Sequence, residues 1–129
     1  MENKKVNFYI CNTCGNLVTC LNEGGGTLVC CGSPMDKIEP NTVDASREKH
    51  VPYVKDYGSR IVVTVGTDKH PSIEEHHIKW IALLTNRSLH IKWLLPGEEP
   101  MAVFKVTDQE AVTAAYAYCN LHGLWKKDL

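Results

Sequence analysis

At 129 residues, 43% of them hydrophobic, the chain has room for one ordinary domain, or for a small module joined to a domain of about 90 residues. A net charge of -1 and a pI near 6.6 give no basic footprint for nucleic acid or an anionic membrane surface. No apolar run reaches the length that spans a bilayer as a helix.

The opening segment MENKKVNFYICN has neither a long apolar run nor a small-residue cleavage site, so no secretory signal is expected and the expected location is cytoplasmic. In a reducing compartment, paired cysteine spacings point to metal or redox chemistry rather than disulfides. Five of the six cysteines fall within the first 31 residues, while the sixth, Cys119, stands three residues before His122.

Residues 6–10 form a short apolar-polar run that reads as a strand ending at Cys11. Cys11-x2-Cys14-Gly15 is then a metal knuckle, with Gly15 free to adopt positive φ. Two strand-like runs follow at 17–21 and 27–30, joined by Asn22-Glu-Gly-Gly-Gly26, and are expected to pair as a hairpin that returns Cys30 and Cys31 to the knuckle. Four thiolates suit a soft tetrahedral ion, and the sequence leaves iron and zinc both open. Such a closed site serves electron transfer if it holds iron and folding support if it holds zinc. Adjacent Cys30 and Cys31 are expected to distort the tetrahedron, and Cys20, outside the spacing, is expected to be a packed or exposed thiol. A segment this small has little core of its own, so a metal and pairing of the modules in a homodimer are expected. Gly32-Ser-Pro34 breaks the segment and the polar stretch 36–46 reads as a linker, which divides the chain into 1–37 and 38–129.

The runs 60–65, 77–84, 89–95 and 102–106 are rich in β-branched or aromatic residues and separated by Gly, Pro, Asn or Asp. Short strands at regular spacing predict a β-sandwich. In 109–118 the alanines favour helix, while Val112, Tyr116 and Tyr118 suit a strand; it is read as a final strand.

A second constellation lies in this later part: Glu48-Lys49-His50-Val51-Pro52, His70-Pro71, Glu74-Glu75-His76-His77 and Cys119-Asn120-Leu121-His122-Gly123. Any one histidine here is more commonly a surface or hydrogen-bonded residue than a ligand, and His90 is left in that class. Together four histidines and one cysteine can surround one ion. Pro71 and Pro52 stiffen the loops that bear His70 and His50, and Gly123 lets the chain turn sharply after His122. Trp80, Trp93, Trp125 and Tyr116 are read as core or site-wall residues.

These motifs, with Cys30-Cys31-Gly-x-Pro-Met35, Asn41-Thr-Val-Asp-Ala45, Glu75-His76-x-Ile-x-Trp-Ile81 and Cys119-Asn-Leu-His-Gly-x-Trp125, occur in one order along nearly the whole chain. In this the sequence resembles desulfoferrodoxin, the two-iron class of superoxide reductase. The resemblance implies a mainly β protein: a small desulforedoxin-like, rubredoxin-type module followed by an immunoglobulin-like β-sandwich. It implies two irons per chain, one on Cys11, Cys14, Cys30 and Cys31, the other with His50, His70, His76 and His122 in a plane, Cys119 axial and the opposite position open. His77 stands where the family commonly carries tyrosine. The implied activity is one-electron reduction of superoxide to hydrogen peroxide, with a rubredoxin-like donor restoring the electron. Lys49 would steer the anion and Glu48 would take the open position in the oxidised state. Two other classes are weighed: a pure iron electron carrier, and a zinc-ribbon interaction module fused to a sandwich. The second leaves the later histidines without a purpose.

Overall fold

Every second side chain of residues 60–65 faces inward: Ile61, Val63 and Val65 are fully buried, which is the alternation of a strand with one face on a core. The structure, a computed structural model, describes residues 5–129. Within them the chain separates into two compact units, Lys5–Glu39 and Pro40–Leu129. Among the described residues no helix is long and apolar enough to cross a membrane.

In the smaller unit, β1 (Phe8–Ile10) is central to a three-stranded sheet, with β2 (Leu17–Thr19) on one side and β5 (Asp36–Lys37) on the other. A separate hairpin pairs β3 (Val29–Cys30) with β4 (Ser33–Pro34). The expected hairpin between 17–21 and 27–30 does not form. Instead β2 folds back on β1 across the Cys11 knuckle, and β3 turns within two residues onto β4. Cys31 and Gly32 both have positive φ, 52° and 76°, the requirement of a type I′ hairpin turn, so the local turn closes β3 before the glycine-rich loop can. That loop is tied down elsewhere: Glu23 accepts hydrogen bonds from Tyr9 Oη at 2.9 Å and Asn7 Nδ2 at 3.1 Å. Asp36 and Lys37, read as the start of a linker, belong to the sheet. Only Phe8 and Cys11 are fully buried in this unit, as its size dictates.

The larger unit is a sandwich of two antiparallel sheets, with orders β10-β7-β6 and β12-β11-β8-β9. Its strands are β6 (Pro52–Asp56), β7 (Arg60–Val65), β8 (Ile78–Thr85), β9 (Leu89–Trp93), β10 (Met101–Lys105), β11 (Val112–Cys119) and β12 (Gly123–Asp128). A single helical turn, α1 (Arg47–His50), precedes β6. The stretch 109–118 is a strand as expected, although β12 follows it as the last. Sequence reading missed β6, β12 and α1. Both missed strands lie at sheet edges, where one opens on Pro52 and the other carries Lys126, Lys127 and Asp128, so neither shows a clean apolar signature.

Ile61, Val63, Val65, Ile81, Leu83, Ala115, Ala117 and Cys119 meet between the sheets. A register shift between β8 and β11 pairs Tyr118 with Trp80 but Cys119 with Ile78, so Lys79 is left over. Without this bulge the alternation would carry the Lys79 ammonium into the core beside Cys119; with it, Lys79 is exposed and buried Ile78 faces the sulfur.

At the far end of the sandwich Glu110 joins two loops. Its carboxylate accepts from Thr85 Oγ1 at 3.1 Å and Thr107 N–H at 2.8 Å, lies 3.4 Å from His90 Nε2, and has a side chain only 6% exposed. Bonds from Ser88 and the Thr107 amide lead in depressing its pKa from 4.5 to about 2. Its contribution is therefore present above pH 4.5 and lost as pH falls toward 2. The Glu110→Gln protein should lose stability at neutral pH and show a flatter loss between pH 4.5 and 2, measured by urea unfolding across that range.

Candidate metal centres

In the smaller unit, the knuckle places Cys11 and Cys14 on one turn, closed by Gly15 N–H on the Cys11 carbonyl at 2.8 Å, and the β3–β4 turn supplies Cys30 and Cys31. The four sulfurs lie within 4.8 Å of one another. Cys14 and Cys30 are 3.5 Å apart, Cys30 and Cys31 4.0 Å, bracketing the edge of about 3.8 Å expected for sulfurs 2.3 Å from a central ion. Adjacent Cys30 and Cys31 stand with Cys31 at a positive φ of 52°. No disulfide forms and Cys20 stays outside the group. Backbone N–H groups of Cys14 and Thr13 lower the Cys11 pKa to about 6, whereas the crowding sulfurs of Cys14, Cys11 and Cys30 push Cys31 up to about 12. Without a cation the cluster ionises Cys11 readily and resists ionising Cys30 and Cys31; a bound dication removes that resistance.

The larger unit builds a centre of another kind. His50 ends α1, His70 lies in the loop after β7, His76 just before β8, Cys119 ends β11, and His122 sits in the turn to β12 that Gly123 closes at φ +75°. The rings form a closed cycle: centroid separations are 4.7 Å for His50–His70, 4.6 Å for His70–His76, 5.1 Å for His76–His122 and 4.9 Å for His122–His50. Neighbours meet edge to face at 79–84°, and His50 and His76 stand across the cycle at 6.2 Å. Ligand atoms of His50, His76, His122 and Cys119 lie within 4.8 Å of one another; His70 joins through its Nε2, 3.2 Å from His50 Nε2. The buried Cys119 sulfur lies beside the cycle, 3.9 Å from His122 Nδ1 and within 4.8 Å of the ligand atoms of His50, His76 and His122.

Proton placement tests whether this set fits a metal. His50 Nδ1–H donates to the Ser46 carbonyl at 2.6 Å and His70 Nδ1–H to the Pro71 carbonyl at 2.7 Å, an assignment fixed because a carbonyl can only accept. Both Nε2 atoms are therefore bare, and bare lone pairs 3.2 Å apart cannot bond to each other. His50 Nε2 is also 3.0 Å from His122 Nδ1, and His76 Nε2 is buried with no hydrogen-bond partner. Adjacent nitrogens about 2.1 Å from one ion at right angles would lie about 3.0 Å apart. Desolvation leads in lowering the pKa values of His50, His70 and His76, that of His70 to about 4, so these rings are neutral near pH 7. Burial raises the Cys119 thiol, opposed by the amides of Leu121 and His122. The donor set suits a divalent transition metal. Trp125 buttresses it, its ring 4.9 Å from that of His50 and its Nε1–H donating to the His122 carbonyl at 3.1 Å.

His77 is turned away, its Nδ1 3.1 Å from the carbonyls of Ile73 and Glu74, and it is His76 that joins the cluster. His90 bonds to Glu110 at the other end of the sandwich. Glu48 and Lys49 are exposed on α1. Glu48 accepts from Ser46 Oγ at 3.1 Å and its own amide leads in lowering its pKa. The Lys49 charge is close enough to contribute to the lowering at His50 and His76. Sequence reading had not found the part played by Gly66, where a Cβ would run into the Glu48 carbonyl; the glycine lets the loop after β7 seat against α1, and Asp68 N–H donates to that same carbonyl at 2.9 Å.

Residues 42–128 match the family model described as Desulfoferrodoxin, and residues 3–38 that described as Desulfoferrodoxin, N-terminal domain. The chain is 45% identical over 118 residues to a desulfoferrodoxin homolog of Archaeoglobus fulgidus, covering 92% of this chain and 93% of that one. It is 44% identical over 120 residues to the desulfoferrodoxin of Nitratidesulfovibrio vulgaris, covering 93% and 94%. Among solved structures, the superoxide reductase from Treponema pallidum superposes with a TM-score of 0.81 at 31% identity, covering 97% of this chain and 100% of that one. With both family models matched in order and two metal-ready clusters in the corresponding segments, the chain belongs to the desulfoferrodoxin family.

Proposed function

We propose that this protein is a superoxide reductase, with residues 38–129 forming the catalytic domain and residues 1–37 a four-sulfur iron module. The observation that carries the reading is the closed cycle of four imidazoles beside the buried Cys119 sulfur. His50, His70, His76, His122 and Cys119 would hold one iron, and Cys11, Cys14, Cys30 and Cys31 the other. Held there, ferrous iron would supply one electron, so that superoxide, one electron and two protons would give hydrogen peroxide, and an external rubredoxin-like donor would return the electron.

The side chains account for the substrate. Four neutral rings and one thiolate cancel one of the two charges of a divalent ion, and the remainder draws a small anion to the face away from Cys119. Lys49 adds to that field from the exposed turn beside His50 and steers superoxide inward. Glu48, kept ionised by its own amide and Ser46, would be the anion available to the oxidised centre. The buried Cys119 thiolate would hold the iron and donate charge to it, which would favour loss of the electron. All six thiols are unpaired, which supports work in the reducing cytoplasm. Val18, Leu21 and Val29 are exposed on a unit that buries little else, which supports a homodimer paired through it.

Pulse radiolysis of the iron-loaded protein should show superoxide consumed with peroxide formed and no oxygen evolved; a protein that carries electrons but leaves superoxide untouched would refute the assignment. The Cys119→Ser change should slow the reaction by more than about 100-fold and remove the thiolate-to-iron absorption of the oxidised centre. Lys49→Ala should slow association by about 10-fold at low salt, a gap that narrows as ionic strength rises. An unchanged rate at low salt would remove the steering role. Sedimentation should give twice the chain mass of 14.5 kDa, and a monomer throughout would exclude the pairing.

A further inference from the structure

Asn120 stands between two of the proposed ligands, Cys119 and His122, yet its side chain reaches neither. It crosses to the loop that carries His76: Nδ2 donates to the Glu75 carbonyl at 3.0 Å, and Oδ1 accepts from the His77 N–H at 2.9 Å. Its own backbone N–H donates to the His77 carbonyl at 3.1 Å. The three bonds grip the chain on both sides of His76.

The other three histidines are held by different means. His50 and His70 are each fixed through Nδ1 by a carbonyl of their own segment, and the His122 carbonyl receives Trp125 Nε1. Among the described residues no such carbonyl serves the His76 ring, and the loop before it is braced on itself by the reciprocal Ile73–His76 backbone pair at 3.1 Å and by the His77 ring against the Ile73 and Glu74 carbonyls. Its buried Nε2 must nonetheless stay at the centre of the cycle.

We propose that Asn120 is the positioning residue for His76: a two-sided amide clamp that fixes the His76 loop against Cys119, so that the His76 ring and the Cys119 sulfur keep one spacing. The inference rests on the metal-centre reading above and adds to it a residue that touches neither metal nor substrate. The clamp engages only backbone atoms of Glu75 and His77. It therefore tolerates the histidine at position 77, whose own ring turns away. An amide is required at 120, because the site needs one donor and one acceptor at once; aspartate offers only acceptors at neutral pH, and alanine offers neither. Loss of a partner that orients a ligand commonly lowers metal affinity by about 10- to 100-fold.

The test uses the full chain loaded with iron at both centres, comparing wild type with Asn120→Ala and Asn120→Asp. Both variants should release iron from the histidine centre to a chelator about 10- to 100-fold faster, with a shifted or broadened thiolate-to-iron band, while the absorption of the four-sulfur centre stays as in wild type. Wild-type release and an unshifted band in Asn120→Ala would overturn the clamp. If neither variant folds, amide exchange of zinc-loaded wild type decides: the His77 N–H should be protected, and exchange at the rate of a free loop overturns the proposal. A wild type that consumes no superoxide while the variants lose iron would sink the proposed activity and leave the clamp standing. An active wild type with an indifferent Asn120→Ala does the reverse.

Discussion

Two bare imidazole nitrogens forced to within 3.2 Å of each other are the constraint around which the larger unit is organised. In a metal-free protein that approach is repulsive, and the protons that could relieve it are committed to the Ser46 and Pro71 carbonyls. Burial makes protonation from solvent costlier still, as the lowered pKa of His70 shows. His50 Nε2 can accept from His122 Nδ1–H at 3.0 Å, but the Nε2 atoms of His70 and His76 find no donor, and a cation among the rings satisfies them together. The fold can hold them so because the ligands are anchored to the sandwich: Cys119 is part of the core between the sheets, fully buried Trp125 lies against His50, and Gly66 lets the loop after β7 close onto α1. The packing of Ile61, Val63, Ile81 and Leu83 is what keeps the site from relaxing.

The two clusters divide metal chemistry by charge and access. Four thiolates surround and overcompensate a divalent ion, leaving no position and no attraction for an anion. Four neutral rings with one thiolate would undercompensate it and leave a net attraction for an anion. Both follow from ligand identity, and each unit contributes the backbone that its set needs: tight turns for sulfur on short side chains, and loops at the end of a sandwich for the longer imidazoles.

Much of this was legible in the residues. Cys-x2-Cys and the adjacent Cys30 and Cys31 announce a sulfur cage by spacing alone, and the alternation of Ile61, Val63 and Val65 announces a strand. What stayed hidden depends on partners distant in the chain. Cys31-Gly32 is a hairpin turn only because cysteine accepts a positive φ there, which propensity does not suggest, so the pairing of β3 was misassigned. Edge strands β6 and β12 need only one apolar face and were lost among prolines and lysines. The placing of His76 rather than His77 turns on which ring faces inward, and the chain on both sides of His76 is bonded to Asn120, more than 40 residues away. The bulge at Lys79 is visible only once β11 lies beside β8.

The β3–β4 turn has an implication for how the sulfur cage can vary. Each half of the cage is self-contained: one knuckle closes on itself through Gly15, and one two-residue hairpin carries the other pair. The intervening stretch from Cys20 to Leu28 supplies no ligand. Insertions or deletions there alter the tether between two preformed halves while leaving the geometry of each intact, so length drift in that segment is cheap for the metal and is constrained chiefly by the grip of Glu23 on Tyr9 and Asn7.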